Sequence, residues 1–320
     1  MSRIAPGDQA FDRDSPYGTE DEYPFSGTRS FMRRRLSREL DGVDYAVLGV
    51  PFDLSTCGRP GARFGPEGLR RASAQLAWGA VWPWGFDPFD RLAVVDYGDV
   101  FYRRGQVDQL VDALLATARR ILASGTRLVS LGGDHMVTYP LLKAHAEIHG
   151  PLGLIHFDAH RDTMKAPELD HGTFAWHAMR DGLVDPERSV QIGIRTHYDL
   201  DDAVTVLHRP WVREHGVRAL VQEIERVVGD GPCYLTFDFD ALDPAFAPGT
   251  GTPVVDGLLP GEVIETIRAL TAPHVVGMDV VEVAPPYDHA EVTALLGASV
   301  ILEHLCAVAS RRPPSRREAR

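Results

Sequence analysis

The 320-residue sequence has none of the features of a secreted or membrane-spanning protein. Its three cysteines, Cys57, Cys233 and Cys306, lie far apart and form no CxxC pair, so free thiols in a reducing compartment are predicted. The N-terminal residues have no apolar core of the signal-peptide type. No uninterrupted run of about 18 apolar residues is present that could cross a bilayer. These absences predict a cytoplasmic protein with no membrane partner.

Basic residues are fewer than acidic ones. The chain has 33 Lys and Arg against 45 Asp and Glu, and its formal net charge is −12 at pH 7. A nucleic-acid-binding protein needs a basic face, so this class is disfavoured, whereas a cationic small molecule is compatible. With 44% hydrophobic and 24% charged residues, the chain can form a globular fold with a large core.

Short apolar runs alternate with amphipathic stretches along most of the chain. Continuous apolar runs are typical of strands that are buried on both faces, as in parallel sheets. The predicted strands are 45–50, 91–99, 127–134, 152–160, 189–195, 233–240 and 274–283, and the predicted helices are 65–77, 106–124, 138–149, 218–228, 260–270 and 290–309. This alternation predicts an α/β fold, a three-layer α/β/α sandwich with a mostly parallel central sheet.

The domain organisation is predicted to be simple. Residues 1–40 are polar with mixed charge and form an N-terminal arm, and residues 41–310 have no internal repeat or linker and form a single domain. Residues 311–320 are basic and contain two prolines, which predicts a disordered tail.

Four of the predicted strands end in ionisable side chains. In an open parallel sheet, ligands bind beyond the carboxyl ends of the strands, so these side chains are predicted to meet at one edge. A single Asp after a strand is more often a helix cap or a turn residue, but that interpretation does not explain several such clusters. The four runs are LGGDH (131–135), DAHRD (158–162), DFDALD (238–243) and DVVEV (279–283).

These clusters predict a metal centre. At least five carboxylates in one cleft would raise one another's pKa unless a cation lies among them, and Arg161 is the exception in segments where basic residues are scarce. Two His and four Asp without Cys suit Mn or Mg, and the imidazoles favour Mn, Fe or Ni. Six side chains exceed the need of one ion, so two ions roughly 3.5–4 Å apart are predicted. Such a pair lowers the pKa of a shared water, which indicates metal-assisted hydrolysis.

Six segments spanning residues 48 to 296 carry a resemblance to a known family: GVPFDLSTCGRPGARFGPEGLR, LGGDHMVTYP, HFDAHRDT, HGTF, LTFDFDALDPAFAPGTGTP and GMDVVEVAPPYDHAEVTALL. With these segments the chain resembles the ureohydrolases, the arginase and agmatinase family, and within it the bacterial agmatinases most. The resemblance implies an arginase-like catalytic domain over residues 41–310, two Mn²⁺ per chain with Ni²⁺ as the main alternative, and a trimeric or hexameric homo-oligomer. It also implies attack on a guanidinium carbon with release of urea and an amine.

The resemblance further implies a role for individual residues. The implied ligands are His135 and Asp162 for the first ion, His160 and Asp240 for the second, and Asp158 and Asp238 for both. His171 falls at the position of a proton shuttle to the leaving amine, and Glu282 at that of a carboxylate that binds the guanidinium. A carboxylate can accept two parallel bonds from a guanidinium, and an amine leaves only when an acid protonates it. Without the resemblance, an ion pair for Glu282 and an ordinary loop position for His171 would be the first interpretations.

Several neighbouring residues are expected to support the site or the fold. His156, Asp243, Asp279 and Asp134 are expected to contact ligands or to stabilise the structure, and Thr252 to lie behind a ligand in the cleft wall. Large aromatic residues pack more often in a core or an interface than in catalysis, which is the interpretation of Trp78, Trp82 and Trp84.

Arg161 departs from the family, in which this position is usually small or uncharged. If the segment stays extended, alternation turns Arg161 away from the metals and toward a carboxylate partner. If Arg161 faced the cleft mouth instead, it would repel the ammonium of agmatine and attract the carboxylate of a guanidino acid.

Three functions are therefore compared. The first is hydrolysis of a small cationic guanidino substrate, agmatine, to putrescine and urea in polyamine biosynthesis. The second is hydrolysis of another guanidino compound, 4-guanidinobutanoate or arginine. The third is a non-catalytic metal-binding homologue, which the presence of all six expected ligands with His171 and Glu282 disfavours.

Overall fold

A computed structural model describes residues 8–19, 22–103, 105–198, 202–271 and 273–313, so most of the predicted tail (311–320) lies outside the described residues. Within these ranges the strands are β1 (Arg35–Leu36), β2 (Tyr45–Gly49), β3 (Val94–Asp99), β4 (Arg127–Leu131), β5 (Gly153–Phe157), β6 (Val190–Ile194), β7 (Thr205–His208), β8 (Pro232–Asp238) and β9 (His274–Val281). The helices are α1 (Gln9–Asp12), α2 (Gly65–Ser73), α3 (Pro88–Arg91), α4 (Val107–Ala123), α5 (Thr138–His149), α6 (Phe174–Arg180), α7 (Arg209–Val228), α8 (Pro260–Ala269) and α9 (Val292–Ala309).

The described strands form one sheet in the order β1-β3-β2-β4-β9-β8-β5-β6-β7, and neighbouring strands are parallel throughout. Alternate residues of a strand pack on opposite faces. On β2, Tyr45 and Val47 belong to a core that includes residues of α2, α7, α8 and α9. Ala46 and Leu48 belong to a second core with residues of α4, α5 and α6. Helices thus cover both faces, and the predicted three-layer α/β/α sandwich is confirmed.

The predicted elements are found, with shifted ends. All seven predicted strands and all six predicted helices correspond to elements of the structure. The helix predicted at 218–228 begins earlier, at Arg209, and is interrupted at Gly216, whose φ is 76°. The prediction missed β1, β7, α1, α3 and α6, which are between two and seven residues long.

The N-terminal segment contributes to the sheet and its core. β1 pairs with β3, and Phe31 and Met32 are fully buried. The Phe31 amide donates to Asp96 Oδ2 at 2.7 Å, and Arg70 Nε donates to the same oxygen at 2.8 Å. The boundary at residue 40 stays a prediction, but the residues just before it pack as part of the fold.

One helix of the described residues, α9, is long and apolar enough to cross a membrane by length and composition alone, with a mean hydropathy of 1.9. However, 72% of it is buried within the protein, where it packs against α2 and α8. A core position therefore accounts for its apolar composition.

Candidate metal centre

The sheet order brings the predicted ionisable runs together. Strands β4, β9, β8 and β5 are consecutive neighbours in the sheet. His135 follows β4, residues 158–162 follow β5, residues 238–240 lie at the end of β8, and Glu282 follows β9. All four runs lie beyond the carboxyl ends of parallel strands, where such sheets bind ligands.

The first cluster surrounds the fully buried side chain of His135. Its Nδ1 atom lies 3.2 Å from Asp158 Oδ2, 3.0 Å from Asp162 Oδ2 and 3.1 Å from Asp238 Oδ2. Three carboxylates thus face one imidazole nitrogen. Burial lowers the pKa of His135, but the three nearby carboxylates outweigh it and raise the pKa well above its ordinary value. The position therefore requires a positive charge.

The hydrogen bond at the other nitrogen of the His135 ring, Nε2, shows that a neutral ring has its lone pair on Nδ1. The Thr236 hydroxyl donates to Asp279 Oδ1 at 2.5 Å and can therefore only accept from His135 Nε2, 2.9 Å away. The proton of a neutral ring is then on Nε2, and Nδ1 carries a lone pair. This Nδ1 is buried without a hydrogen-bond partner. A lone pair aimed at three carboxylates is repelled by them unless a cation lies between, so these residues fit a metal ion.

The second cluster is built on His160. Its Nδ1 atom lies 3.0 Å from Asp240 Oδ2 and 3.4 Å from Asp158 Oδ1. Burial lowers the pKa of His160, whereas Asp240 and Asp158 raise it to about 12. Asp158 contributes one oxygen to each cluster. Thr252 Oγ1 donates to Asp240 Oδ2 at 3.0 Å, so this threonine supports a candidate ligand, as predicted.

The predicted neighbours of the ligands divide into two groups. His156 Nε2 lies 2.7 Å from Asp158 Oδ2, and Asp279 holds Thr236 behind His135. Asp134 accepts from the Ser55 amide at 3.0 Å, and burial together with the charge of Glu282 raises its pKa to about 7. Asp243, by contrast, accepts from the Ala245 and Gly257 amides at 2.9 and 3.0 Å and stabilises a loop.

The segment after β5 is not extended, so that part of the prediction is wrong. The strand ends at Phe157, and the His160 amide turns back to donate to Asp158 Oδ1 at 2.6 Å. Asp162 has a φ of 53° and Glu282 a φ of 60°, a conformation that costs free energy in residues other than glycine and is concentrated at functional sites.

Arg161 nevertheless turns away from the clusters and pairs with a carboxylate, as predicted. It is 3% exposed, and its Nη2 atom lies 2.6 and 2.8 Å from the two oxygens of Asp202. Asp202 lines a cavity of about 580 Å³ with Thr163 and Trp176. The turn at residues 158–162, rather than strand alternation, therefore directs this side chain.

His171 and Glu282 lie beside each other at the first cluster. Glu282 Oε1 accepts from the His135 amide at 3.0 Å and lies 3.4 Å from His171 Nδ1. The Cys57 amide donates to His171 Nε2 at 3.0 Å, so Nε2 holds a lone pair and Nδ1 the proton. Burial lowers the pKa of His171, but Glu282 raises it to about 10. The amide contact thus favours the neutral ring, whereas Glu282 favours the charged one.

A glycine keeps the space in front of Glu282 open. A Cβ atom on Gly251 would lie 3.3 Å from Glu282 Oε2 and 3.1 Å from the Arg59 carbonyl, which is tighter than ordinary contact. The GTGTP segment thus lies close to Glu282, as expected for a wall of the site.

Two supporting residues were missed. Thr236 precedes Asp238 by two residues, and Gln191, on β6, contacts both His156 and Arg161. A polar residue inside an otherwise apolar strand was the signal available for both, because a side chain buried there needs a hydrogen-bonding partner.

Comparison with known proteins agrees with this site. The profile of the Arginase family matches residues 43–307. A curated agmatinase of Chromobacterium violaceum is 50% identical over 310 residues, which cover 96% of each chain. The crystal structure of a hypothetical agmatinase from Burkholderia thailandensis is 51% identical with a TM-score of 0.94, covering 95% of this chain and 98% of that one. Proclavaminate amidino hydrolase from Streptomyces clavuligerus is 37% identical with a TM-score of 0.85, covering 90% and 99%. With its profile match, its relatives and its strand-end clusters of His and Asp, the chain belongs to the arginase family.

Proposed function

We propose that the protein is an agmatinase, which hydrolyses agmatine to putrescine and urea with two Mn²⁺ ions. The observation that carries the proposal is the buried Nδ1 atom of His135, which lies within 3.2 Å of three carboxylates. The two relatives named above as agmatinases are half identical to this chain over nearly its whole length.

The proposed ligands are those that the two clusters bring together. His135 and Asp162 would hold the first ion, His160 and Asp240 would hold the second, and Asp158 and Asp238 would serve both. Asp158 has one oxygen near each histidine, and Asp238 Oδ2 lies 3.1 Å from His135 Nδ1. Four carboxylates and two imidazoles suit Mn²⁺, with Ni²⁺ as the main alternative. When bound, the ion pair supplies a water acidic enough to act as a nucleophile near neutral pH.

The remaining steps belong to residues of this chain. Glu282, with its charge toward the open side of Gly251, accepts two parallel hydrogen bonds from the planar guanidinium and orients its carbon for attack. As the new C–O bond forms, the bond from that carbon to the amine nitrogen breaks. His171, in its charged form, gives a proton to the departing nitrogen, which leaves as a neutral amine. The neutral ring then takes up the proton of the added hydroxyl group, so that urea remains.

The direction of Arg161 supports agmatine over a guanidino acid. Its guanidinium is neutralised by Asp202 on the side away from the clusters, so it offers no cation to a substrate carboxylate. The name of the Streptomyces relative, 37% identical, shows that this fold accommodates another amidino substrate, and 4-guanidinobutanoate or arginine is therefore the second candidate.

Urea release from a panel of guanidino compounds, after loading with Mn²⁺, tests the proposal. The panel contains agmatine, 4-guanidinobutanoate and arginine. We expect the highest kcat/KM for agmatine, with loss of activity in a chelator and recovery on addition of Mn²⁺. A higher kcat/KM for 4-guanidinobutanoate or arginine would overturn the choice of substrate. Urea release that is unaffected by chelation would overturn the metal centre.

A homo-oligomer in the cytoplasm is part of the proposal. Trp78 and Trp82 are 67% and 83% exposed, which supports their role in an interface, because large exposed aromatic residues are typical of contact surfaces. Trp84 packs against the core and donates to Glu303 at 2.6 Å. Sedimentation equilibrium would distinguish a trimer from a hexamer.

A further inference from the structure

A chain of buried hydrogen bonds runs from Arg161 to the carboxylate that the two clusters share. Arg161 Nε donates to Gln191 Oε1 at 2.6 Å, and Gln191 Nε2 lies 3.0 Å from His156 Nδ1. His156 Nε2 lies 2.7 Å from Asp158 Oδ2. These four residues are between 0% and 3% exposed, so bulk water does not compete for the bonds.

The chemistry of the groups allows one arrangement of protons along this chain. A guanidinium can only donate, so Gln191 must turn its oxygen toward Arg161 and its nitrogen toward His156. The second hydrogen of the same nitrogen is used by the Arg161 carbonyl, 2.7 Å away. His156 Nδ1 therefore accepts, and the proton of its neutral ring lies on Nε2. That proton donates to the Asp158 carboxylate in a charge-assisted bond.

We propose that Arg161, Gln191 and His156 are positioning residues for the metal centre. They hold the Nε2–H tautomer of His156, which orients Asp158 so that Oδ2 faces the first cluster and Oδ1 the second. The inference rests on the proposed two-ion site and extends it by an outer set of three residues. Second hydrogen-bonding partners of this kind commonly contribute 10- to 100-fold to metal affinity.

One competing role for His156 is ligation of the first ion. Its Nε2 atom lies close enough to His135, Asp158 and Asp162 for one ion to reach all four. A nitrogen that carries a proton has no lone pair to offer, however, so ligation requires the other tautomer. The Arg161–Gln191 pair disfavours that tautomer, because a proton on Nδ1 would face the N–H of Gln191.

Four variants distinguish these roles through binding of Mn²⁺ alone, measured by equilibrium dialysis and by the electron paramagnetic resonance spectrum of the ion pair. His156→Leu removes the donor to Asp158, whereas His156→Gln places an amide N–H near the position of Nε2. Gln191→Met keeps the side-chain length but removes the donor to His156. Gln9→Met is the matched control, because Gln9 is also 2% exposed and lies on α1, away from the clusters.

We expect His156→Leu and Gln191→Met to weaken binding of an ion by about 10- to 100-fold and to alter the spectrum of the pair. His156→Gln should stay within about threefold of the wild type, since a restored donor suffices for positioning, and Gln9→Met should match the wild type. If His156→Gln is as defective as His156→Leu, the ring nitrogen is a ligand and the inference is overturned. Wild-type binding by Gln191→Met would also overturn it, and this variant decides the matter if His156→Leu does not fold.

The same preparations separate this inference from the proposed function. A wild-type chain that binds two Mn²⁺ but releases no urea from agmatine would overturn the function and leave the positioning roles to be judged from the variants. A wild-type chain that binds fewer than two ions would overturn both.

Discussion

Replacing Arg161 by threonine separates the two possible roles of this side chain. In the structure, Arg161 is buried and paired with Asp202, and its guanidinium carbon lies 4.7 Å from the centre of the Tyr198 ring. Arg161→Thr removes the ion pair, the ring contact and the hydrogen bond to Gln191, and any loss of Mn²⁺ affinity through that bond is compensated by assaying at saturating Mn²⁺. It does not change any group that faces the proposed guanidinium position at Glu282.

The expected effect on stability is moderate. Breaking a buried ion pair costs about 3–5 kcal/mol, but the Asp202 side chain is 14% exposed and can be partly hydrated, so about 2–3 kcal/mol is expected. For a chain of this size that corresponds to a fall in Tm of roughly 3–5 °C. Arg268→Thr is a matched control, because Arg268 also pairs with a carboxylate, Glu303, and lies over an aromatic ring, that of Trp82.

The effect on substrate choice would be large if Arg161 faced the tail. Two unit charges roughly 6 Å apart at an effective dielectric constant of about 20 interact by about 3 kcal/mol, a factor of more than 100 in kcat/KM. Agmatine and 4-guanidinobutanoate carry opposite tail charges, so the ratio of their kcat/KM values would change by even more.

Scanning calorimetry and urea release at saturating Mn²⁺ measure both quantities. We expect Arg161→Thr to lower the Tm and to leave the agmatine to 4-guanidinobutanoate ratio unchanged within about threefold, with the same ratio in Arg268→Thr. A shift of the ratio toward agmatine by about tenfold or more would refute the assigned direction of Arg161.

Three further perturbations test other parts of the structure. Asp238→Ala should lower the number of bound Mn²⁺ together with kcat, measured by metal analysis and urea release; an unchanged metal content would remove Asp238 from the ligand set. Glu282→Gln should keep both ions but lower kcat/KM for agmatine by about 100-fold, since it loses the charge of a two-pronged bond; normal turnover would show that the contact is wrongly assigned. Burial lowers the pKa of His145 to about 4, so the folded protein binds a proton at this ring less well than the unfolded chain does. The free energy of unfolding therefore falls as the pH drops from about 6.5 toward 4, by about 2 kcal/mol at pH 5. Urea denaturation at pH 7.5 and pH 5 should show a smaller loss of stability at pH 5 for His145→Leu than for the wild type. An equal loss would contradict the lowered pKa of His145.

Which strands could be predicted from the sequence depended on their place in the sheet. The seven predicted strands are the inner ones, where most residues are buried and apolar residues predominate. The two missed strands, β1 and β7, are the edges of the sheet. On β7, Thr205 and Val206 are half-buried and His208 is exposed, so the continuous apolar pattern is absent. A prediction that looks for continuous apolar runs therefore misses the edge strands.

The candidate site shows a similar limit. Residue types at the strand ends indicated a metal centre, because several acids and imidazoles at one sheet edge require a cation. The proton arrangement of that centre depends instead on Thr236 and Gln191, which lie inside strands. Their role becomes visible only when their partners are known, and the partners come from other strands.

Arg161 shows why the charge of a residue next to a ligand does not by itself define substrate preference. From the sequence, its positive charge beside His160 raised the possibility of a substrate with a carboxylate tail. Its direction is set by the turn that follows β5 and by Asp202, which lies 41 residues further along the chain. Because Asp202 neutralises the guanidinium on the outer side, the charge acts on the positions of Gln191 and His156 and not on the substrate tail. A basic residue at this position is therefore compatible with a cationic substrate as long as its acidic partner is present.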